Sequence, residues 1–265
     1  MKKTLLWLLA LIITLGSVMY TRNTGPTKPA KGKVELGNET IEYSLIRTFF
    51  RPADAPVRVS VPSEEIEGFY RYKRTPSHDE WTTAPMVREG DQLIAYIPQQ
   101  PAAGKVAYQV TLTNGDQEAV LTADPIVIRF RNDVPAWAMI PHILLMFAGI
   151  FLSTRTGLAA IFNEKTYGLT LATLLLLFAG GLFFGPIVQK FAFGDFWTGW
   201  PFGTDLTDNK TLVMFIFWLF AFFKVRKNPY NRWWVLTAAV VTLIAYMIPH
   251  SLLGSEIDFT QEGIN

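Results

Sequence analysis

LATLLLLFAGGLFF, residues 171–184, decides the class of the fold. A helix at the surface of a water-soluble domain carries a polar stripe on its solvent side. This stretch carries none, so its helix is either buried all round or surrounded by lipid. Its neighbours extend the run to Tyr167–Gly185, and three similar stretches stand at Ala136–Thr154, Thr211–Phe223 and Trp233–Leu253. Each is near the ~20 residues that cross ~30 Å of hydrocarbon. Only Thr211–Phe223 falls short, and it reaches that length if the helix begins between Leu206 and Lys210. The expected fold is therefore a membrane α-helical bundle of about four helices over residues 133–255, with an outer loop at 186–210.

A further apolar run, Leu5–Met19, follows Met1-Lys2-Lys3. It fits either a cleaved signal peptide or a membrane anchor. The residues after it, Gly16-Ser17-Val18-Met19-Tyr20-Thr21-Arg22, lack a small-x-small cleavage pattern. That favours an N-terminal transmembrane anchor over residues 1–21, followed by a Pro/Gly/Lys linker at 22–33. Half of the chain is hydrophobic and 17% is charged, against roughly 25% in an ordinary soluble domain. The charges crowd into residues 22–133, where an exported domain is expected. Basic and acidic residues alternate there, so no phosphate-tracking block exists and nucleic acid is not an expected partner. The absence of cysteine excludes disulfides, Cys-ligated zinc, iron–sulfur clusters and covalent c-type haem.

Basic residues in short loops orient the spans. Lys2 and Lys3, then Arg155 and Lys165, then Lys224, Arg226, Lys227 and Arg232 fall on one side if each run crosses once. The other side receives residues 22–135, the loop near 186–210 and the acidic tail 256–265, with Glu256, Asp258 and Glu262. Trp137, Trp197, Trp200, Trp233 and Trp234 fall near the expected interfaces, as aromatic belts do. The reading places the chain in a bacterial inner membrane, its N-terminus cytoplasmic and its β-domain and C-terminus periplasmic or extracellular.

Residues 34–132 read as strands. Period-two alternation marks Val57–Val61, Phe69–Tyr72, Leu93–Ile97 and Val106–Leu112. Asn114-Gly115-Asp116 signals a hairpin into Glu118–Thr122, and Ile126–Phe130 forms a last strand. Recurrent turn signals between short strands suggest a sandwich. The stretch GFYRYKRTPSHDEWTTAPMVREGDQLIAYIPQQPAAGKVAYQVTLTNGDQ, with its Tyr-x-Tyr strand ahead of a Trp and its later Tyr-x-Val-x-Leu run, resembles immunoglobulin- or fibronectin-type modules. The resemblance covers about a third of the chain. It implies an inserted exported all-β immunoglobulin-like sandwich that serves as a binding or spacer module, and it carries no catalytic residues. His78, beside Asp79 and Glu80, reads as an exposed turn residue.

Chemistry is expected near the two remaining histidines, both in the tripeptide Ile-Pro-His: 140–142 and 248–250. An ionisable group within the bilayer is costly without a partner. Counting ~1.5 Å per residue puts His142 ~7 Å below the outer interface and His250 at nearly the same level. Pro141 and Pro249 each free a backbone carbonyl one turn earlier. Three chemistries fit this pattern. Haem b would take His142 and His250 as axial ligands, with Gly149, Gly180 and Gly181 giving room and Lys190 or Lys210 meeting the propionates. A divalent metal such as zinc or copper would take His142 and His250 with Asp205, Asp208 or Glu256. A proton or quinone site would use a His–Asp pair. Against these stands a structural role, a helix-end histidine bonded to a neighbouring carbonyl. Asp195, Trp197 and Trp200 mark the aromatic loop as an interface, and Thr207 or Asp208 is the expected cap of the following helix. The expected function is an integral membrane subunit or accessory protein whose sandwich binds or positions another membrane or exported protein.

Overall fold

The structure, a computed structural model, describes residues 2–250 and 254–261. Its chain divides into two compact units, one helical (1–26 and 134–255) and one built of strands (27–133 and 256–265).

In the helical unit, α1 spans Lys2–Thr24, α2 Ala136–Ile161, α3 Tyr167–Leu177, α4 Gly185–Phe193, α5 Leu206–Lys227 and α6 Arg232–Met247. A π-helical segment, Phe178–Phe184, joins α3 to α4 into one run from Tyr167 to Phe193. Among the described residues, Lys3–Thr24, Ala136–Ile161, Tyr167–Phe193 and Leu206–Lys227 are long and apolar enough to cross a membrane, whereas Arg232–Met247 is shorter.

Several expected boundaries move. The first helix continues to Thr24, and in its last turns Thr21 and Thr24 return their hydroxyls to the carbonyls of Ser17 and Tyr20, a turn back. The expected linker at 22–33 shrinks to residues 25–29, since strand pairing begins at Ala30. α2 runs seven residues past Thr154, which draws Arg155 inside a helix. α4 carries the chain to Phe193, so the loop begins at Gly194, whose left-handed φ of 99° ends the helix as glycine does most easily. α5 starts at Leu206, the longer of the two lengths open to it. The last helix stops at Met247, and His250 lies outside it. The expected span to Leu253 is thus cut short at Met247; its residues 251–253, and Glu262 in the tail, lie outside the described residues.

The helices bury small and hydroxyl-bearing residues around a few large ones, Trp218, Ile150 and Leu177 among them, and leave many large apolar side chains exposed. Gly149, Ser153, Thr156, Thr170, Thr173 and Thr242 face inward, while Leu144, Leu175, Phe183, Ile216, Phe220 and Ile244 are exposed. Inside, Trp218 Nε1 donates to Thr242 Oγ1 at 2.8 Å, and Thr156 and Thr173 hydroxyls meet at 3.4 Å. The glycines set the spacing. A Cβ on Gly180 would lie 2.9 Å from the Met146 amide nitrogen of α2, and one on Gly181 2.6 Å from Thr211 Cγ2 of α5.

In the strand unit, β1 (Ala30–Leu36), β2 (Glu39–Leu45), β4 (Ala55–Ser60), β8 (Gln92–Ile97) and β7 (Val87–Glu89) make one sheet in the order β1-β2-β4-β8-β7. The second sheet runs β3 (Thr48–Phe50), β11 (Ile126–Arg131), β9 (Lys105–Asn114), β5 (Glu67–Arg74), β6 (Thr82–Pro85), with β10 (Gln117–Val120) paired to β9. All pairings are antiparallel except β11 with β3. The Gly115-Asp116 turn, with Gly115 at φ 57°, sets Asn114 opposite Gln117. Val57, Val59, Leu93 and Ile97 of one sheet share a core with Tyr108, Val110, Ile128 and Phe130 of the other. Alternation along each strand explains why one side of each sheet supplies that core.

Among the described residues after Ser255, Glu256 to Gln261 join this unit. Glu256 pairs with Lys105. Phe259 is buried, receives the Arg74 guanidinium over its ring at 4.7 Å, and donates its N–H to the Pro76 carbonyl at 3.0 Å. Beside it, Arg74 and Asp79 form a two-pronged ion pair at 2.7 and 3.0 Å, which closes the turn holding the exposed His78.

Replacing Phe130 with alanine removes a fully buried ring and is expected to cost the strand unit about 3–5 kcal/mol, read by hydrogen exchange of β9 and β11 amides in the full chain. Gly180→Val forces a branched side chain against the α2 backbone. It is expected to abolish the cooperative thermal transition of the helices, whereas Gly168→Ala, in open space, leaves it in place.

Candidate functional site

The loop between α4 and α5 lies over the first turn of α5, held there by two buried carboxylates. Asp205, and not Thr207 or Asp208, is the helix cap, because the helix begins one residue after it. Its Oδ1 accepts the N–H groups of Thr207 at 2.7 Å and Asp208 at 3.4 Å, satisfying amides that lack partners within the helix. Its Oδ2 accepts the Ser255 amide at 2.6 Å and the Ser255 hydroxyl at 2.5 Å. One carboxylate thus ties the start of α5 to chain fifty positions later.

Asp208 completes the clasp from the same turn. Its Oδ2 accepts the N–H groups of Thr198 at 2.7 Å and Gly199 at 3.0 Å. A Cβ on Gly199 would come within 2.6 Å of Asp208 Cβ, so this approach requires glycine. Gln189 of α4 donates to Thr198 Oγ1 at 2.6 Å, which in turn meets Ser255 Oγ at 2.7 Å. Asn209 Oδ1 accepts the Trp200 amide at 2.6 Å. Buried Lys210 donates to the Ile248 carbonyl at 2.6 Å and fastens the end of α6 to α5.

The Asp205 carboxyl sits below the usual aspartate range. Burial alone would raise it, but the bonds from Ser255, Thr207 and Asp208 outweigh that. Amide donors converge on both carboxylates, and such donors repel a cation. No group of three or more His, Asp or Glu side chains is placed to hold a metal among the described residues. The expected metal set of His142, His250, Asp205, Asp208 and Glu256 is therefore not assembled; Glu256 belongs to the strand unit, where Lys105 is its partner.

His142, half-buried on α2, places Nδ1 2.8 Å from the Gly180 carbonyl oxygen. A carbonyl only accepts, so Nδ1 carries the proton, which leaves the lone pair on Nε2 whenever the ring is neutral. In the π-helical turn the Gly180 carbonyl also accepts the Gly185 amide, five residues on, so His142 shares that oxygen with the backbone. His250 is exposed and lies three residues past Met247, the end of α6. Only His142 stands on a helix. Haem ligation loses its expected room: Gly149, Gly180 and Gly181 are taken up by contacts with Leu177, Met146 and Thr211.

The remaining expected residues serve the loop itself. Lys190 is exposed, bonds the Gly194 carbonyl and lies 5.4 Å from the Phe196 ring centroid, which makes it a C-terminal cap of α4. Trp197 Nε1 donates to the Trp200 carbonyl at 3.0 Å. Trp200, Phe196, Phe202 and Asp195 are exposed. Sequence reading missed Ser255, Thr198 and Gln189, since no local pattern links a serine to an aspartate fifty residues earlier.

A folded carboxyl below its unfolded value contributes stability that is full above the unfolded pKa and is lost as pH falls through the folded one. The Ser255 amide is therefore expected to stay protected from hydrogen exchange down to pH 3.8, the ordinary aspartate value, and to open only below it. Asp205→Asn is expected to expose that amide across the whole pH range.

No known protein family, curated protein or solved structure matches this chain, so its site is read from geometry alone.

Proposed function

We propose that the chain is an integral membrane protein whose helical unit anchors a strand unit displayed on the non-cytoplasmic side, where it binds or positions another membrane or exported protein. One observation carries the membrane reading. The helical unit turns leucines, isoleucines and phenylalanines outward, while glycine, serine and threonine share its interior with Trp218, Leu177 and Ile150. In water that arrangement forfeits the burial that stabilises a domain, about 25 cal/mol per Å² of apolar surface. In lipid the outward face costs nothing and small residues bring helices together.

The strand unit is taken as an immunoglobulin- or fibronectin-type module, and its outer face supports the binding role. A shallow groove of ≈ 430 Å³ crosses β5, β9 and β10, lined by Phe69, Arg71, Gln109, Thr111, Glu118 and Val120. Exposed Phe69 and Val120 supply apolar contact there, and Arg71, held by Gln109 at 2.6 Å, supplies a fixed charge. The exposed Trp200 and Phe202 would meet the outer interface of the bilayer, as aromatic belts do.

A second reading, proton or quinone chemistry in the outer leaflet, has the oriented His142 ring in its favour, because its Nε2 is left as an acceptor. It predicts that His142→Ala plus His250→Ala abolishes a redox or ligand-binding signal. The accessory reading predicts that the double variant changes stability alone. A spectrum and metal analysis of the purified protein separate the two.

The chain is expected to resist alkaline extraction from membranes. Because it has no cysteine of its own, single cysteines report sidedness directly. Asn114→Cys and Thr204→Cys should react with an impermeant maleimide from outside intact cells, and Lys227→Cys only after lysis. Labelling of Thr204→Cys from the cytosolic side alone would overturn the orientation.

A further inference from the structure

Arg155 has no role in the outer clasp, yet it is the most deeply buried guanidinium of the helical unit, with 3% of its surface exposed. Nη2 donates to Glu164 at 3.1 Å. Nε and Nη1, both buried, find no hydrogen-bond acceptor among the described residues. The ring of Trp7, 5.1 Å from the guanidinium carbon, covers it from α1. A ring face attracts the cation but does not accept its N–H bonds as an oxygen would. Buried charged donors left unmet cost more than a typical hydrogen bond contributes, so an acceptor from outside the chain is called for.

The surroundings select the acceptor's charge. α1 and α2 run antiparallel in contact, so Trp7 and Arg155 share the end where α3 begins, α5 ends and α6 begins. That end carries Lys165, Lys224, Arg226, Lys227 and Arg232, with Glu164 as its one acid. Three of these cations also lie over rings: Lys165 on Tyr230, Lys224 on Trp234 and Arg232 on Trp233, at 5.9, 5.4 and 5.1 Å. Those aromatic residues are exposed, as at a membrane interface.

We propose that Arg155 and the basic turns around it form a binding site for the phosphate of an anionic phospholipid headgroup, entering beside Trp7. A phosphate diester brings a negative charge and oxygen acceptors matched to the unmet guanidinium donors. Its acyl chains would lie along the α1–α2 flank, where the Trp7 and Phe151 rings lie 5.4 Å apart, tilted by 46°. Glu164 holds Nη2 of the same guanidinium, so its carboxylate repels the phosphate at Nε and Nη1 and limits the affinity. The proposal rests on the membrane reading above, and the two fail separately: loss of the chain on alkaline extraction would sink the membrane reading, whereas lipid retention is measured on detergent-purified protein.

The test is native mass spectrometry of the full chain with phosphatidylglycerol or phosphatidylcholine of identical acyl chains. Phosphatidylglycerol should be retained preferentially, with retention about tenfold weaker in Arg155→Gln, one charge-assisted interaction's worth. Glu164→Gln should strengthen retention, because it removes the competing anion. If Arg155→Gln does not fold, Glu164→Gln decides alone. Equal retention of the two lipids, or phosphatidylglycerol retention unchanged in Glu164→Gln, would overturn the site and leave the arginine as a structural ion pair.

Discussion

The close approach of α2 to the π-helical segment governs the helical unit. Gly180 allows the two backbones to meet where any side chain would strike the Met146 amide. The same residue's carbonyl accepts from the Gly185 amide and from His142 Nδ1. Spacing, helix geometry and imidazole tautomer thus depend on one residue. A π turn lengthens the hydrogen-bonded ring by one residue, and such turns often stand at functional positions. Here the carbonyl at that turn serves both the backbone and the imidazole.

The rest of the interior follows from scarcity of polar partners. Threonine hydroxyls at 154, 156, 173 and 242 each bond a carbonyl four residues back in their own helix. These local bonds keep the hydroxyls satisfied wherever the helix lies, and Thr242 still accepts from Trp218. The end where α5 begins is different. Asp205 and Asp208 gather amides from two distant segments, so the connections after α4 and α6 are held by charge-assisted bonds and not by apolar burial.

The strand unit obeys the opposite logic. Its valines, isoleucines and aromatics turn inward between two sheets, and its surface is charged. The segment from Glu256 to Gln261 belongs to that logic as well, since Phe259 finds burial against Arg74. Placing an outward-apolar unit and an inward-apolar unit in one chain requires two solvents, which is the physical ground of the membrane proposal.

Much of this was legible in the residues. Runs of apolar residues without a polar stripe located the helices, and period-two alternation located the main strands, because both signals are local. The Ile-Pro-His repeats drew attention to His142 and His250, but the likeness was deceptive. Pro141 lies within a helix that continues past it, whereas the chain has already left α6 at Pro249. Tertiary contacts alone decided which aspartate caps α5, that Ser255 returns to it, that the glycines are filled by neighbouring helices, and that Arg155 is buried under Trp7. Each joins residues far apart in the chain, and local propensity carries no information about a partner supplied by folding.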